Sequence, residues 1–332
     1  MEPTFDDYVA LIYNRFEAFV QGSVSSTKTG HPYVYENQGL ILFFMWMQFK
    51  RIYKFKSQWC WLNNPQSERE RLGWKTVPHR TTLSRRYKTL YGVVQEFIEF
   101  LGQQSAPLGE ELRTQHLCED QSLFKAQGSV WHQSDRKAGR IPEKLRHLDT
   151  DGTWAKSGYH GWVYGYGLHL TNNQAGFPVL VEVETAAFSE KEALIRKEPK
   201  LLQTLKPDTV AADDAYTGAK RIRAWAKAEV ILLTPALRWR NGRYAQAYKR
   251  FIAQPEINLL LRQRKTAIEP IFDLIGKLLG VTVRQKQLAI QSLPNVRTHL
   301  GLAVLSLQIA MLANNIWGLP FRSISTIRAV FA

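Results

Sequence analysis

Residues 162–185 read WVYGYGLHLTNNQAGFPVLVEVET, and they decide the fold class. Two runs, WVYGYGLHL and FPVLVEVET, are rich in aromatic and β-branched residues, which suit the pleated surface of a sheet. Between them TNNQAG supplies the Asn and Gly that a tight turn needs. The segment reads as a β-hairpin. Outward to the C-terminal side, SEKEALIRKEPKLLQTL (189–205) reads as a helix and DTVAAD (208–213) as a short buried strand. TGAKRIRAWAKA (217–228) is a second helix, EVILLTP (229–235) a further short strand, and a long helical region runs from about 256 to 279. Outward to the N-terminal side, RTQHLCEDQSLFKAQG (113–128) holds a short strand ending near Asp120, and a polar stretch follows to about Tyr159. The order is strand, hairpin, helix, strand, helix, strand, long helix. It predicts an α/β fold with a mixed sheet and helices on its faces.

The first 105 residues have a different pattern. DDYVALIYNRFEAFV (6–20) carries apolar residues at helical spacing, and GLILFFMWMQFKRIYKF (39–55) is apolar almost all round, as in a core helix. A polar break at Asn63–Pro65 is followed by SERERLGW (67–74), a link KTVPHR (75–80) and the helical run TTLSRRYKTLYGVVQEFIEFLG (81–102), with Thr81 or Thr82 as N-cap. Two helices with a short Gly-containing link resemble a helix-turn-helix, which would put Arg80, Arg85, Arg86 and Lys88 near phosphates. An ordinary helical hairpin with a solvated basic face fits the same letters. The linker GQQSAPLGEE (102–111) sets the expected division: a helical region 1–108 for DNA binding or dimerisation, and an α/β domain 109–332.

The chain has 332 residues, 45% of them hydrophobic, enough to bury a substantial core. Its net charge of +15 makes nucleic acid the leading partner. An anionic membrane would need a polybasic cluster or lipidation signal, and neither is present. The two cysteines, Cys60 and Cys118, form no CxxC pair, so no zinc knuckle or disulfide framework is indicated. The start, MEPTFDDYVALIYNRF, has no signal-peptide pattern. GLAVLSLQIAMLANNIWG (301–318) is short and interrupted by polar residues, so it reads as a buried helix. A cytoplasmic, nucleoid-associated protein is expected.

One acid contradicts its surroundings. Between Ala236 and Lys286 stand eleven Lys or Arg and three acids, one of them Glu269. A basic surface attracts a polyanion that a carboxylate repels, unless a cation lies between them. Asp213, at the end of DTVAAD, and Asp120, after HLC, sit at strand ends, where open α/β sheets bind ligands. Three carboxylates brought together would suit Mg²⁺, a hard ion that prefers oxygen ligands. Taken singly, an Asp at a strand end is more often a cap or turn residue.

EDQSLFKAQGSVWHQSDRKAG (119–139), GWVYGYGLHL (161–170), VAADDAYTG (210–218) and RKTAIEPIFDLIGKLLG (264–280) together resemble the DDE transposases of bacterial insertion sequences, of the IS4/IS5-like kind. The segments run in the family's order and span most of the last two-thirds of the chain. The resemblance implies an RNase H-like catalytic domain that cuts and joins DNA with two Mg²⁺ or Mn²⁺ ions. It implies metal ligation and catalysis by Asp120 (followed by Ser122 and Leu123), by Asp213 (three residues before Tyr216) and by Glu269. Double-stranded DNA with terminal inverted repeats, target DNA and a homodimeric assembly on DNA are the implied partners. Arg238, Arg240, Arg262, Lys265 and Lys277 join the arginines at 80, 85 and 86 as candidate phosphate contacts, and His169 is a candidate neighbour of the site.

Competing readings remain open at this point. Asp149 and Asp151 in HLDTDGTW also resemble first-acid motifs, and Glu119 would point to the opposite face from Asp120. The chain departs from the family at Gly167 and Gly276, where relatives often carry Lys; Lys277 is one position on. Pro270 in a helix interior costs about 3 kcal/mol unless accommodated, so a kink or restart is expected there. Trp162 is expected in the core, with Trp131 left undecided between core and base stacking. A catalytically inactive DNA-binding descendant and an RNase H-like nuclease are the alternative functions.

Overall fold

The computed structural model describes residues 2–22, 34–64, 69–143, 145–158, 161–235, 242–282 and 285–332. Five helices come first: α1 (Phe5–Gly22), α2 (Asn37–Phe49), α3 (Phe55–Asn63), α4 (Arg80–Thr89) and α5 (Tyr91–Gln104). Then follow β1 (His116–Lys125), α6 (Gln133–Lys137), β2 (Thr153–Ser157), β3 (Gly161–Asn173) and β4 (Pro178–Thr185). Two strand–helix alternations complete the sheet: α7 (Glu190–Pro199), β5 (Thr209–Ala211), α8 (Ala219–Lys227) and β6 (Ile231–Leu233). The chain ends in helices α9 (Arg243–Ile252), α10 (Pro255–Leu279), α11 (Leu293–Trp317) and α12 (Ser325–Phe331).

The sheet is mixed. β1 and β4 both pair antiparallel with β3, on opposite edges, while β5 pairs parallel with β1 and β6 parallel with β5. β2 pairs with the first residues of β3 and β4 with the rest, so they lie end to end along one edge. A three-stranded antiparallel meander extended by two parallel strands through crossover helices is the RNase H-like arrangement. β1 is central, with β3 on one side and β5 on the other.

Two cores flank the sheet. The larger joins α1, α2, α4 and α5 to the sheet and to α10 and α11. The smaller packs Leu194, Leu201, Ile222, Trp225 and Tyr248 against Leu117, Val210 and Leu232. The helical N-terminal region and the sheet therefore share one apolar interior. Gly102 shows how close they come: a Cβ there would stand 2.9 Å from the backbone of Val179 in β4. α2 is buried along most of its length, as its uniform apolarity predicts. α11 is long and apolar enough to suit a membrane span, but 83% of its most apolar window is buried inside the protein.

Several expectations change. β1 continues to Lys125 rather than ending near Asp120, because its antiparallel ladder with β3 runs from Leu117 to Lys125. β2 lies inside the stretch read as polar loop; its sequence, TWAKS, is held as a strand by pairing with Gly161–Gly165. The run 81–102 is two helices parted at Leu90. The N-cap of α4 is His79, whose Nδ1 accepts from the Thr81 amide, rather than Thr81 or Thr82. α10 passes through Pro270 without ending. A proline leaves the carbonyl four residues earlier without its helical donor. Here that carbonyl, on Thr266, accepts from Arg322 Nη1 at 3.2 Å. Trp162 is 63% exposed, not core.

Candidate active site

β1 and β5 are parallel, with Cys118 opposite Ala211. The offset of 93 between these partners, carried two residues on, puts Asp120 beside Asp213. β5 ends at Ala211, so Asp213 stands just past a strand end while Asp120 sits in the middle of a longer strand. Asp213 caps the short 3₁₀ turn Asp214–Tyr216, accepting from the Ala215 amide at 2.8 Å. Glu269 arrives from α10, on the exposed stripe that also carries Arg262 and Lys265. All three acids line one cleft of about 480 Å³.

The cleft has more carboxylates than the sequence reading named. Asp120, Glu190, Asp213, Glu269 and Asp273 face Lys156 and Lys286. Five formal negatives against two positives make it acidic inside a protein of net charge +15. Arg264 partly offsets this, with Nη1 2.5 Å from Asp120 Oδ2. Asp120 is pushed above the usual carboxylate range by burial, against the pull of Arg264. Glu190, at the first turn of α7, is pushed up to about 8, by burial and then by the charges of Asp213 and Asp120. Lys286 donates to Ser122 Oγ at 2.8 Å, and burial lowers its pKa. It is held there because the Lys286 carbonyl accepts from the Lys125 amide and the Leu288 amide donates to the Lys125 carbonyl.

The lysines that line the cleft are thus Lys286 and Lys156. Lys277, the displaced family lysine, is exposed at the end of α10 and does not line it. Lys286 belongs to the basic run 236–286 but nothing there singles it out, and no local pattern marks Lys156 or Glu190, which arrive through tertiary folding. At Gly167, where the resemblance implies Lys, a Cβ would meet Gln121 Nε2 at 2.4 Å, so a larger side chain there would have to displace the end of Gln121.

The competing acids have other partners. Glu119 is fully buried on the opposite face of β1, paired with Lys197 at 2.8 Å. Asp149 accepts from the Tyr166 hydroxyl at 2.7 Å and the Ser292 amide at 3.1 Å. Asp151 accepts from the Leu293 amide at 2.8 Å, so the two acids together anchor the start of α11. His169 is buried in the sheet outside the cleft lining, with its pKa lowered to about 3, first by burial and then by Lys197 and Arg196, which leaves the ring neutral.

Of the candidate phosphate contacts, Arg262 and Lys265 line a second hollow of about 770 Å³, with Lys249, Arg264, Ile252 and Leu261. It adjoins the acid cleft through Ala212 and Arg264. Arg80 and Arg85 are exposed on α4, whereas Arg86 donates to Asn37 Oδ1 at 2.5 Å. Arg238 and Arg240 lie outside the described residues.

The donor set suits a hard divalent cation: carboxylate oxygens, a nearby hydroxyl and no sulfur. One carboxylate oxygen in it, Glu190 Oε2, is buried without a hydrogen-bond partner. Among the described residues no three acids converge closely enough to hold an ion as they stand, and Asp120 is engaged by Arg264. Filling the site therefore requires side chains to turn inward.

A family model described as "Transposase DDE domain" matches residues 112–287. No curated protein matches the chain. Among solved structures, the crystal structure of a pre-cleavage Mos1 transpososome matches at 10% identity, covering 80% of this chain and 84% of that one. Its TM-score is 0.19, too low for the likeness to carry weight.

Proposed function

The chain belongs to the transposase DDE-domain family, and from that premise we propose that it cuts and joins the ends of an insertion sequence by metal-assisted phosphoryl transfer. The observation that carries the reading is the register that sets Asp120 beside Asp213, with Glu269 facing the same cleft from α10. Asp120, Asp213 and Glu269 would hold two Mg²⁺ or Mn²⁺ ions. When bound, such ions supply Lewis-acid activation of the attacking hydroxyl and stabilise the charge on the leaving oxygen.

The chain's own residues do the rest. Arg262 and Lys265 take the DNA backbone beside the cleft, each neutralising a phosphate. Lys286 and Lys156 place positive charge at the cleft wall, where phosphate oxygens approach. Arg264, 2.5 Å from Asp120, favours the ionised form of that carboxyl against its burial and holds it in place. The helical region 1–108 serves end recognition and dimer contacts, with Arg80 and Arg85 available to phosphates. Terminal repeats and target DNA are the substrates, met in the cytoplasm at the nucleoid.

The test uses purified protein and a supercoiled plasmid carrying the element's ends. Nicking and joining are expected only with Mg²⁺ or Mn²⁺, and Asp213→Asn should abolish both while DNA binding persists. Metal-dependent cleavage that survives Asp213→Asn refutes the site. Specific binding without any cleavage points instead to an inactive DNA-binding descendant.

A further inference from the structure

We propose that Glu190 is a fourth carboxylate ligand of the divalent-cation site, reaching it from the N-terminus of α7. The inference rests on the metal-dependent reading above and adds a ligand that the three-acid pattern does not contain.

Glu190 occupies the first position of a ten-residue helix. An acid there normally serves the helix N-terminus. That task is already filled: Ser189 and Glu192 form a reciprocal capping box, with the Ser189 hydroxyl accepting from the Glu192 amide and the Glu192 carboxylate accepting from the Ser189 amide. Glu192 is exposed, as a capping acid usually is. Glu190 instead lines the acid cleft.

Its Oε2 is buried and accepts no hydrogen bond, and among the described residues no Lys or Arg is ion-paired with it. Three cations in and around the cleft have other bonds, Lys286 to Ser122, Arg264 to Asp120 and Arg221 to Glu198, and Lys156, the other lysine of the lining, is exposed. A carboxyl oxygen buried without a hydrogen-bond partner is costly, and one retained in a cleft calls for a group, such as an ion, that satisfies it. Four other carboxylates share the cleft, so that something is a cation rather than an anion or a neutral donor. The site would then take one donor from each of four structural units: β1, the turn after β5, α10 and α7. Four carboxylate charges balance two divalent ions, as 4 × (−1) + 2 × (+2) = 0.

The test is Mn²⁺ binding to the DNA-free full chain, read by electron paramagnetic resonance, with thermal unfolding in EDTA alongside. Glu190→Gln should weaken Mn²⁺ by about 10-fold or more and leave the EDTA protein about as stable as the parent, because Glu190 Oε2 makes no hydrogen bond to lose. Glu192→Gln, on the same turn, should bind Mn²⁺ like the parent. The proposal is overturned if Glu190→Gln binds Mn²⁺ like the parent while Asp213→Asn does not. It is also overturned if Glu190→Gln is less stable in EDTA with unchanged Mn²⁺ affinity, the mark of a purely structural acid. If Asp213→Asn also binds like the parent, the carboxylate site itself fails, and the fourth ligand with it.

Discussion

Lys197→Met probes the electrostatics behind the site without touching it. Lys197 is 4% exposed, and its Nζ lies 2.8 and 3.0 Å from the two carboxylate oxygens of Glu119, which is fully buried. Thr171 completes the cluster, donating to Glu119 while accepting from Lys197. At 2.8 Å and an effective dielectric of about 20, the pair attraction is about 6 kcal/mol, from 332/(20 × 2.8). Removing one partner of a buried pair costs about 3–5 kcal/mol, because the survivor is left charged and unpaired. The expected loss for Lys197→Met near pH 8 is therefore about 3–5 kcal/mol.

The pH dependence has a definite sign. Burial already raises the Glu119 pKa, and Lys197 opposes that rise. Without the lysine the folded-state pKa climbs further above the unfolded value of about 4.3. Between those two values the folded state binds more protons, so stability falls as pH rises, by up to about 1.4 kcal/mol per unit. The gap between variant and parent should be small near pH 5 and full near pH 8, as measured by urea denaturation. The double variant Glu119→Gln/Lys197→Met should return to within about 1 kcal/mol of the parent. A Lys197→Met loss below about 1 kcal/mol at pH 8, or one that does not change with pH, refutes the reasoning.

Gly102→Ala should cost about 1–3 kcal/mol, since the new methyl meets β4 backbone that cannot rotate away; urea midpoints check it, and a neutral result means α5 does not rest on β4. Trp162→Ala should change stability by no more than about 0.5 kcal/mol, because the side chain is largely exposed; a larger loss would return Trp162 to the core. Arg264→Gln should lose about 1–3 kcal/mol in EDTA and recover more than the parent does on adding Mg²⁺, as read by thermal scans; equal recovery would separate the Arg264–Asp120 bond from cation binding. Arg262→Gln/Lys265→Gln should lower the slope of log affinity against log salt by about 1.8, from 2 × 0.9 per phosphate; an unchanged slope would take both residues off the DNA.

Alternation and turn chemistry in 162–185 were enough to read the hairpin, and the order of later segments was enough for the α/β class. β2 was not legible. TWAKS has one aromatic and a lysine, and only its partner strand makes it a strand. The far end of β1 was missed for a related reason: QSLFK lacks a stop signal, and its extent is set by the ladder with β3. Pro270 illustrates a limit of local rules, since the donor that satisfies the freed Thr266 carbonyl comes from Arg322, 56 residues away. The triad acids were proposed from a family pattern, and their shared cleft follows from strand register, a tertiary property. Glu190 carried no sequence signal, because neither residue type nor neighbours distinguish a cleft acid from a helix-start acid, and Lys286 was only one of the eleven basic residues of 236–286.

Adjacent acids on one strand show how the sheet separates structural from chemical charge. Glu119 and Asp120 point to opposite faces of β1, as the period of a strand requires. On one face the chain supplies Glu119 with a complete set of partners, Lys197 and Thr171, and seals them from water. On the other, Asp120 has one arginine on a shared cleft, and Glu190 has none. A chain with 44 basic residues could have placed a lysine beside each acid. It does so where burial is structural and leaves negative charge where the cleft opens beside Arg262 and Lys265. On the proposed function, that arrangement would draw a polyanion to the rim and repel it from the floor until cations arrive, so the acids of the cleft, rather than the basic surface, would be the part of the molecule that selects for metal-loaded DNA chemistry.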